Sequence, residues 1–452
     1  MLRFSRLLLG LLLVTQIGQA ADWSRFRGPN GAGVTEDKAP TQWSATSNVA
    51  WKIDLPGRGV SSPIVVGNKV FVTCYSGYGV QGDQGSIEDL KRHLLCVDRK
   101  NGTVLWTASV PAEMPEDPYQ GAGVPSHGYA SHTPVCDGER VYVFFGKSGA
   151  LAYDLEGNKL WQTNLGKESG RMRWGSAASP ILYGDLVIVN ASDESEALVG
   201  LDKRTGEQKW RAEAAGMANT WGTPLLAETN GEAEIVLAVP REIWGFNPAN
   251  GKLKWYAPGT QDDSSSASAV FGGGLIYAMG GRGGNSVAVK PGGKGEVPAA
   301  WEGQAGGRFG SPVFYDGLLY INNGAVVQCF DAQTGDRVYQ SRLGDEAAPA
   351  DRGSQGGPPQ GGPGGPGGFG GFGRGGGGRG GGDYASPIVA NGKLYFTLKS
   401  GMVHVAETGS EFKLIASNDL TADKSGFDGT PAVSNGQLFL RSHQTLYCIG
   451  EK

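Results

Sequence analysis

Gly200-Leu201-Asp202-Lys203-Arg204-Thr205-Gly206-Glu207-Gln208-Lys209-Trp210 is the stretch that decides the fold of this chain. Asp and Thr side chains in such a stretch bond the local backbone and the glycine supplies a positive φ, so the segment predicts a tight turn between two strands. The small residue at its start leaves room for the aromatic ring at its end, which buries about 150–250 Å² when it packs between neighbouring sheets. The stretch therefore predicts a sheet that docks onto the next sheet through its tryptophan.

The same pattern returns along the chain with an aromatic residue in the docking position. The predicted docking residues are Trp51, Trp106, Trp161, Trp210, Trp255 and Tyr339. A second repeated signal is a Ser-Pro or Thr-Pro step that opens each unit, at Ser62, Thr133, Ser179, Thr223, Ser311, Ser386 and Thr430, with Ser268-Ala269 as a degenerate copy. Five of the seven intervals are 43–46 residues long. Eight units of this length are typical of a β-propeller.

We therefore predict an all-β fold, a single eight-bladed β-propeller of four-stranded antiparallel blades. The last unit ends after three predicted strands, and a strand at Val49–Ile53 is available to complete it. Pairing of the N- and C-terminal strands would close the ring and place Trp51 in the final blade, which removes an open sheet edge. The predicted divisions are an extension over 21–48 and a propeller over 49–452, with residues 353–382 inserted in it.

The first 20 residues predict export. Arg3 and Arg6 precede an apolar run over 7–14, and a small-x-small site ends at Ala20, which is the pattern of a cleaved signal peptide. We expect a secreted protein, periplasmic or extracellular, with no integral membrane segment after cleavage. The net charge of −4 gives no reason to expect binding to nucleic acid.

The repeated turn resembles the tryptophan-docking motif of the PQQ-like, or quinoprotein alcohol dehydrogenase-like, β-propeller repeat proteins. Trp23-Ser24-Arg25-Phe26-Arg27-Gly28-Pro29-Asn30 also resembles the opening of exported bacterial members. The resemblance implies either of two functions. One is a non-catalytic, BamB-like scaffold, expected to be a monomer, that binds a protein or cell-envelope component. The other is a dehydrogenase of alcohols or sugars that depends on PQQ and calcium.

Cysteine usage favours the scaffold. The chain has five cysteines but no adjacent Cys-Cys pair, which the resemblance associates with the quinone of the dehydrogenases, and no Cys-x-x-Cys-His for a c-type haem. We therefore expect no cofactor, no metal and no catalytic residue. Cys96, Cys329 and Cys448 occupy the same repeat position and are expected to be small buried residues. Cys74 and Cys96 lie on neighbouring predicted strands, and the sequence leaves undecided whether they form a disulfide.

A binding face is predicted where the long loops emerge. The segments 76–91, 114–131 and 344–383 leave the same end of the ring, and binding residues concentrate on such loops. The candidates precede the Ser/Thr-Pro steps: Arg58, Tyr129, Arg173, Trp174, Trp221, Arg308, Phe309, Tyr384, Phe427 and Asp428. Aromatic and arginine side chains suit a planar anionic quinone, a peptide or a glycan, and the alternative is that they only pack the loops together.

Three weaker signals have structural interpretations. His93, His127 and His132 cluster in the first insertions, where loop packing is a better expectation than a metal site or a general base. Asp262 and Asp263 could help to bind calcium but are expected to be solvated. The tract 353–382 contains 19 glycines in 30 residues, which predicts a flexible insertion that buries no core.

Overall fold

The protein is described by a computed structural model over residues 22–80, 85–121, 123–229, 231–281, 283–344 and 384–451. Its strands form eight sheets, each with a four-stranded antiparallel meander, arranged as an eight-bladed β-propeller. The predicted fold class is therefore confirmed. The predicted signal peptide over 1–20 and the glycine-rich insertion over 353–382 lie outside the described residues.

The blades follow one another along the chain, each from an inner to an outer strand. Blade 1 consists of Ile64–Val66, Lys69–Ser76, Lys91–Asp98 and Val104–Pro111. Blade 2 consists of Val135–Cys136, Arg140–Phe144, Ala150–Asp154 and Lys159–Thr163. Blade 3 consists of Ile181–Tyr183, Leu186–Ala191, Ala197–Asp202 and Gln208–Glu213. Blade 4 consists of Leu225–Thr229, Glu232–Val239, Glu242–Phe246 and Leu253–Pro258, extended by Gly295–Glu296.

The second half of the ring repeats the plan. Blade 5 consists of Val270–Gly272, Leu275–Gly280, Asn285–Val289 and Ala299–Gln304. Blade 6 consists of Val313–Tyr315, Leu318–Asn323, Val326–Asp331 and Arg337–Arg342. Blade 7 consists of Ile388–Ala390, Lys393–Thr397, Met402–Glu407 and Leu414–Asp419, extended by Val34–Thr35. Blade 8 consists of Ala432–Ser434, Gln437–Arg441, Thr445–Ile449 and Val49–Asp54.

Helices are short among the described residues. Two α-helical turns cover Val124–His127 and Ser192–Ser195, and 3₁₀ turns cover Ile87–Asp89, Gly146–Ser148 and Ala215–Met217. No helix in this part of the chain has the length and apolar character needed to cross a bilayer.

Blade 8 closes the ring as predicted. Val49–Asp54 pairs antiparallel with Thr445–Ile449, and Trp51 lies opposite Cys448. Blade 8 thus combines the two ends of the described chain, and Trp51 docks onto blade 1, where its Nε1 donates to the Arg99 carbonyl at 2.7 Å.

The other docking tryptophans form an outer girdle on the same plan. Trp210 of blade 3 is 7% exposed, and its Nε1 donates to the Pro248 carbonyl in the turn of blade 4 at 3.1 Å. Its ring covers Gly251 of that turn so closely that a Cβ at Gly251 would lie 2.3 Å from it. Trp106 and Trp161 repeat the arrangement with the turns of blades 2 and 3.

Blades 4, 5 and 6 vary the plan of the girdle. Blade 5 also docks, through Trp301, whose Nε1 donates to Ala332 at 3.0 Å, and this residue was not among those predicted. Trp255 instead donates to the Glu234 carboxylate at 2.8 Å. Tyr339 packs against Phe412 of blade 7, with ring centroids 6.0 Å apart.

The pairing of the third and fourth strands of each blade explains the repeated small residues. Gly200 lies opposite Trp210, Cys96 opposite Trp106 and Cys329 opposite Tyr339, so each small side chain makes room for a ring. All five cysteines are buried free thiols. Cys74 and Cys96 form no disulfide, because the register pairs Cys74 with His93 and Cys96 with Phe71.

The predicted N-terminal extension lies across the end of the propeller that carries the tight turns. Trp23 bridges to Val65 of blade 1, and the Ser24 carbonyl accepts from Cys136 of blade 2. Farther along, Val34–Thr35 pairs in parallel with Val389 and Ala390 of blade 7. We call residues 23–35 the strap. Between these contacts, Arg27 donates to the Pro312 carbonyl at the start of blade 6, which lies opposite blade 2 in the ring, so the strap passes over the axis.

Candidate functional site

Eight hydroxyl residues encircle the axis, one at the start of each blade. Seven hydrogen bonds join them among the described residues: the backbone N–H of each donates to the side-chain oxygen of the next, at 2.9–3.1 Å, from Ser62 through Thr133, Ser179, Thr223, Ser268, Ser311 and Ser386 to Thr430. We call these eight residues the hydroxyl belt. The Ser/Thr-Pro repeat is thus a junction between blades, and the degenerate copy at Ser268 keeps the hydroxyl.

All eight belt residues line a cavity of about 320 Å³ on the axis. Residues of the loop-rich face, which carries the blade-to-blade links, form the walls above the belt. Phe26 of the strap also lines the cavity. We call this cavity the axial pocket. Its volume lies at the lower end of the range for small-molecule sites, and each belt residue is at most 8% exposed.

Two pairs of stacked aromatic rings form the mouth of the axial pocket. Trp174 stacks on Trp221 with centroids 5.2 Å apart, and Phe309 stacks on Tyr384 with centroids 4.3 Å apart. The Arg308 guanidinium lies over the Phe309 ring at 4.8 Å. The mouth therefore offers ring faces and edges together with one arginine to whatever enters.

A charged group of four residues forms another wall. The Asp428 side chain is fully buried, and its Oδ2 lies 2.7 Å from His443 Nε2 and 3.2 Å from Lys399 Nζ. The other nitrogen of His443, Nδ1, lies 2.9 Å from the Arg58 guanidinium. Asp428 Oδ1 has no hydrogen-bond partner among the described residues, and Asp428 lines the pocket. Lys399 and His443 thus contact one carboxylate, and Arg58 contacts the histidine.

His127 supports the mouth. Its Nδ1 lies 2.7 Å from Ser131 Oγ and its Nε2 lies 2.7 Å from the Trp174 carbonyl. Burial lowers the pKa of His127, which favours the neutral ring, with one nitrogen donating to that carbonyl. His93 and His132 are likewise bonded to serine hydroxyls, at 2.8–2.9 Å.

A second buried polar cluster stands behind the mouth, and we call it the acid cluster. Asp193 accepts from Trp221 Nε1 at 2.9 Å, and its neighbour Glu194 is 2% exposed. Burial raises the pKa of both carboxyls, and the charge of Asp193 raises that of Glu194 further. Lys147 and Asp117 lie close by, 3.6 Å apart, so the cluster ties Trp221 to the link between blades 1 and 2.

The structure brings six of the predicted face residues together around one pocket: Trp174, Trp221, Arg308, Phe309, Tyr384 and Asp428. Arg58 stands one residue behind the lining, on His443. Tyr129 is buried against Tyr75, Tyr78 and Tyr119, and Phe427 is buried against Tyr447. Arg173 is exposed and lies outside the lining.

Sequence reasoning missed half of the pocket. It interpreted the Ser/Thr-Pro steps only as the starts of strands, although their hydroxyls line the pocket. It also missed Phe26, which lies far from the repeated steps in sequence, and Lys399 and His443, which each follow such a step by 13 residues and contact Asp428. The repeat itself was the signal that could have revealed the belt. The start of a strand does not require a hydroxyl, yet all eight copies have one.

The fold and the tryptophan girdle define the class of the protein as a PQQ-like β-propeller. The sequence profile described as "Outer membrane protein assembly factor BamB" matches residues 34–173, 74–226 and 193–344, and the chain belongs to this family.

Individual relatives are distant. The structure of BamB from Moraxella catarrhalis superposes with a TM-score of 0.57 at 12% identity, covering 89% of this chain and 97% of that one. The tetrathionate hydrolase of Acidithiobacillus ferrooxidans is 21% identical over 344 residues, 67% of this chain, and the match spans 62% of that enzyme's length. A quinohemoprotein alcohol dehydrogenase from Comamonas testosteroni gives a TM-score of 0.42 at 13% identity, covering 96% of this chain and 81% of that one.

The donor set of the axial pocket does not fit a calcium-bound quinone. Calcium takes six to eight oxygen ligands, several of them carboxylates. Asp428 is the one carboxylate among the described residues of the lining, and Lys399 and His443 already contact it. Among the residues that the structure describes, no group of three or more His, Cys, Asp and Glu could hold a metal ion. Asp263, considered above for calcium but expected to be solvated, has an exposed side chain that pairs with Arg241.

Proposed function

We propose that this protein is an exported, non-catalytic binding protein that holds a protein or cell-envelope partner against its loop-rich face. The observation that carries the proposal is the mouth of the axial pocket, where two aromatic stacks and Arg308 surround one opening on a rigid ring. Aromatic and arginine side chains are the types that dominate binding energy at protein interfaces.

The family supports the same reading. Its description names an outer membrane assembly factor, and the protein with the superposable structure carries that factor's name. In the proposal, the half-buried rings of Trp174, Phe309 and Tyr384 supply the contact. Trp221 is 8% exposed and acts beneath Trp174 as its support.

The alternative is a dehydrogenase that uses PQQ and calcium. The axial position and the aromatic walls of the pocket suit a planar ligand. The described lining residues lack the set of carboxylates that calcium needs, and this mismatch is why we rank the alternative second.

Site-specific photo-cross-linking in the native cells tests the proposal. A photoreactive phenylalanine analogue replaces Phe309 at the mouth, and the matched control places it at Leu253, an apolar residue of an outer strand that is 48% exposed. We expect a discrete adduct from position 309 and none from position 253. Arg308→Ala in the same protein should reduce that adduct while the melting temperature stays within about 1–2 °C, because surface substitutions rarely change stability by more than about 0.5 kcal/mol.

The outcomes of cross-linking and of PQQ titration of the purified protein distinguish partner binding from dehydrogenase activity. Equal adducts at both positions, or none at position 309, would count against the partner-binding proposal. Stoichiometric binding of PQQ in the presence of calcium, together with reduction of a dye that depends on an alcohol or a sugar, would establish the dehydrogenase.

A further inference from the structure

The hydroxyl belt leaves eight hydrogen-bond donors without an assigned acceptor. A serine or threonine hydroxyl has one hydrogen to donate and two lone pairs to accept with. At least seven belt oxygens accept a backbone N–H, and no belt hydroxyl donates to an atom among the described residues. All eight side chains are more than nine-tenths buried and line the axial pocket. Eight neighbouring hydroxyls, each with a hydrogen left to donate, therefore line one space.

Two buried arginines lie in the strap beneath this ring. Arg27 is 0% exposed and Arg25 is 7% exposed. Arg27 Nη2 donates to the carbonyl of Pro312, the residue that follows Ser311 of the belt, at 2.5 Å. Arg27 Nε and Nη1 and Arg25 Nε have no partner among the described residues. The Arg27 guanidinium thus contacts a residue next to the belt, and both arginines keep donors unused in the described part of the chain.

These cations also lack a balancing charge in the described part of the chain. No ion pair within 4.0 Å involves either arginine, and the pKa of Arg27 is lowered to about 9 by burial alone. Because the free-energy cost of an unpaired buried charge is large, a native fold normally pairs it. A mobile anion in the pocket above would supply the missing charge.

The charges higher in the pocket point the same way. Arg308 lines it, Lys399 contacts Asp428 and Arg58 contacts His443 behind the lining, and Asp428 is the one acidic lining residue among those that the structure describes. Since a cation and a histidine contact Asp428, its charge is balanced locally. Positive charge therefore lies both around the upper pocket and beneath the belt, in the strap.

From this arrangement we infer that the closed end of the axial pocket is a binding site for a tetrahedral oxoanion of the sulfate or phosphate class, held by the hydroxyl belt and by the field of Arg25 and Arg27. The cavity of about 320 Å³ is roughly ten times the volume share of one water, about 30 Å³, so it admits such an ion with part of its hydration. Eight donors around one axis match an ion whose oxygens point in several directions, better than a flat carboxylate.

Calorimetric titration of the purified protein with sodium sulfate, sodium phosphate and sodium acetate tests the inference. All titrations are run at one ionic strength fixed with sodium chloride, which screens the non-specific charge. We expect saturable binding of one sulfate or phosphate per chain, and acetate at least 10-fold weaker. The comparison of sulfate with phosphate shows which oxoanion the site prefers. No saturable heat with either tetrahedral ion, or acetate binding as tightly, would overturn the inference.

Amino-acid substitutions test whether the oxoanion binds in the axial pocket. Arg27→Gln removes the charge but keeps hydrogen-bond donors, and it should weaken oxoanion binding at least 10-fold, whereas Arg27→Lys should retain most of it. The matched control is Arg241→Gln, which removes an exposed arginine paired with Asp263 and should leave binding within 2-fold. If Arg27→Gln does not fold, Arg25→Gln provides the same test. Wild-type affinity in a folded charge-removing strap variant would overturn the assignment to the axial pocket.

Discussion

The outer girdle and the hydroxyl belt are two rings that join the same blades in different ways. In the girdle, a tryptophan of one blade lies on the turn glycine of the next and donates its single N–H to a turn carbonyl, as Trp210 does to Pro248. In the belt, a small hydroxyl accepts the N–H of its neighbour, as Ser311 does from Ser268. The girdle buries large apolar area, and the belt buries little.

The two rings differ in the hydrogen-bonding groups that remain available to a ligand. A docked tryptophan has used its one polar group, so nothing is left for a ligand. A belt hydroxyl that accepts one bond keeps a hydrogen to donate, and it points to a cavity instead of a neighbouring blade. The same repeat unit therefore carries stability at its rim and binding capacity at its axis.

The strongest test of the girdle is Trp210→Ala. Removing this ring leaves a cavity between blades 3 and 4 and should lower the free energy of unfolding by about 3–5 kcal/mol. Urea denaturation followed by circular dichroism measures it. The exposed Leu253→Ala is the control and should change stability by less than about 0.5 kcal/mol. A Trp210→Ala effect as small as that of the control would contradict the docking role.

The turn glycine beneath that ring gives the next largest effect. Gly251 has φ +68° and no room for a Cβ, because Trp210 would lie 2.3 Å from it, whereas Gly184 has φ +55° and open space around it. Gly184→Ala should cost only the backbone strain, about 1 kcal/mol. Gly251→Ala should cost about 1–3 kcal/mol more in the same denaturation assay. If Gly184→Ala and Gly251→Ala lower the free energy of unfolding equally, the Trp210 ring can move aside.

Ser311→Ala tests the belt as a junction. The substitution leaves the buried N–H of Ser268 without its acceptor, which should lower the free energy of unfolding by about 1–3 kcal/mol. Ser311→Thr keeps the hydroxyl, as three other blades do, and should be closer to wild type in thermal denaturation. If both variants behave alike, the belt hydroxyl is not what joins these blades.

The smallest expected effect concerns the acid cluster behind the mouth. Because burial raises the pKa of Asp193 and Glu194, the folded protein holds protons at a pH where the unfolded carboxyls, with ordinary pKa values of about 4, have lost them. Their contribution to stability is therefore present at low pH and is lost as the pH rises through the raised values. Urea midpoints measured from about pH 5 to 8 should fall more steeply for the wild type than for Glu194→Gln. A steeper fall in the variant would contradict this sign.

The repeated parts of the molecule were predictable and the unique parts were not. The turn at Asp202–Gly206 and the strand at Val49 follow from local residue chemistry that recurs, so the blades, the ring closure and most of the girdle follow from the sequence. Trp301 escaped because the turn before it, Pro291-Gly292-Gly293, departs from the motif. The contacts of Arg27 with Pro312 and of Arg58 with His443 join residues hundreds of positions apart, and no local pattern encodes such contacts.

The most direct test of whether the belt is a ligand surface is anomalous diffraction from crystals soaked in selenate, a heavier analogue of sulfate. The account predicts a single dominant selenium peak on the axis, in contact with belt hydroxyls such as Ser311 and Thr430, and its loss in Arg27→Gln crystals. Selenium found only at exposed arginines such as Arg241, with the axial pocket holding water alone, would contradict it.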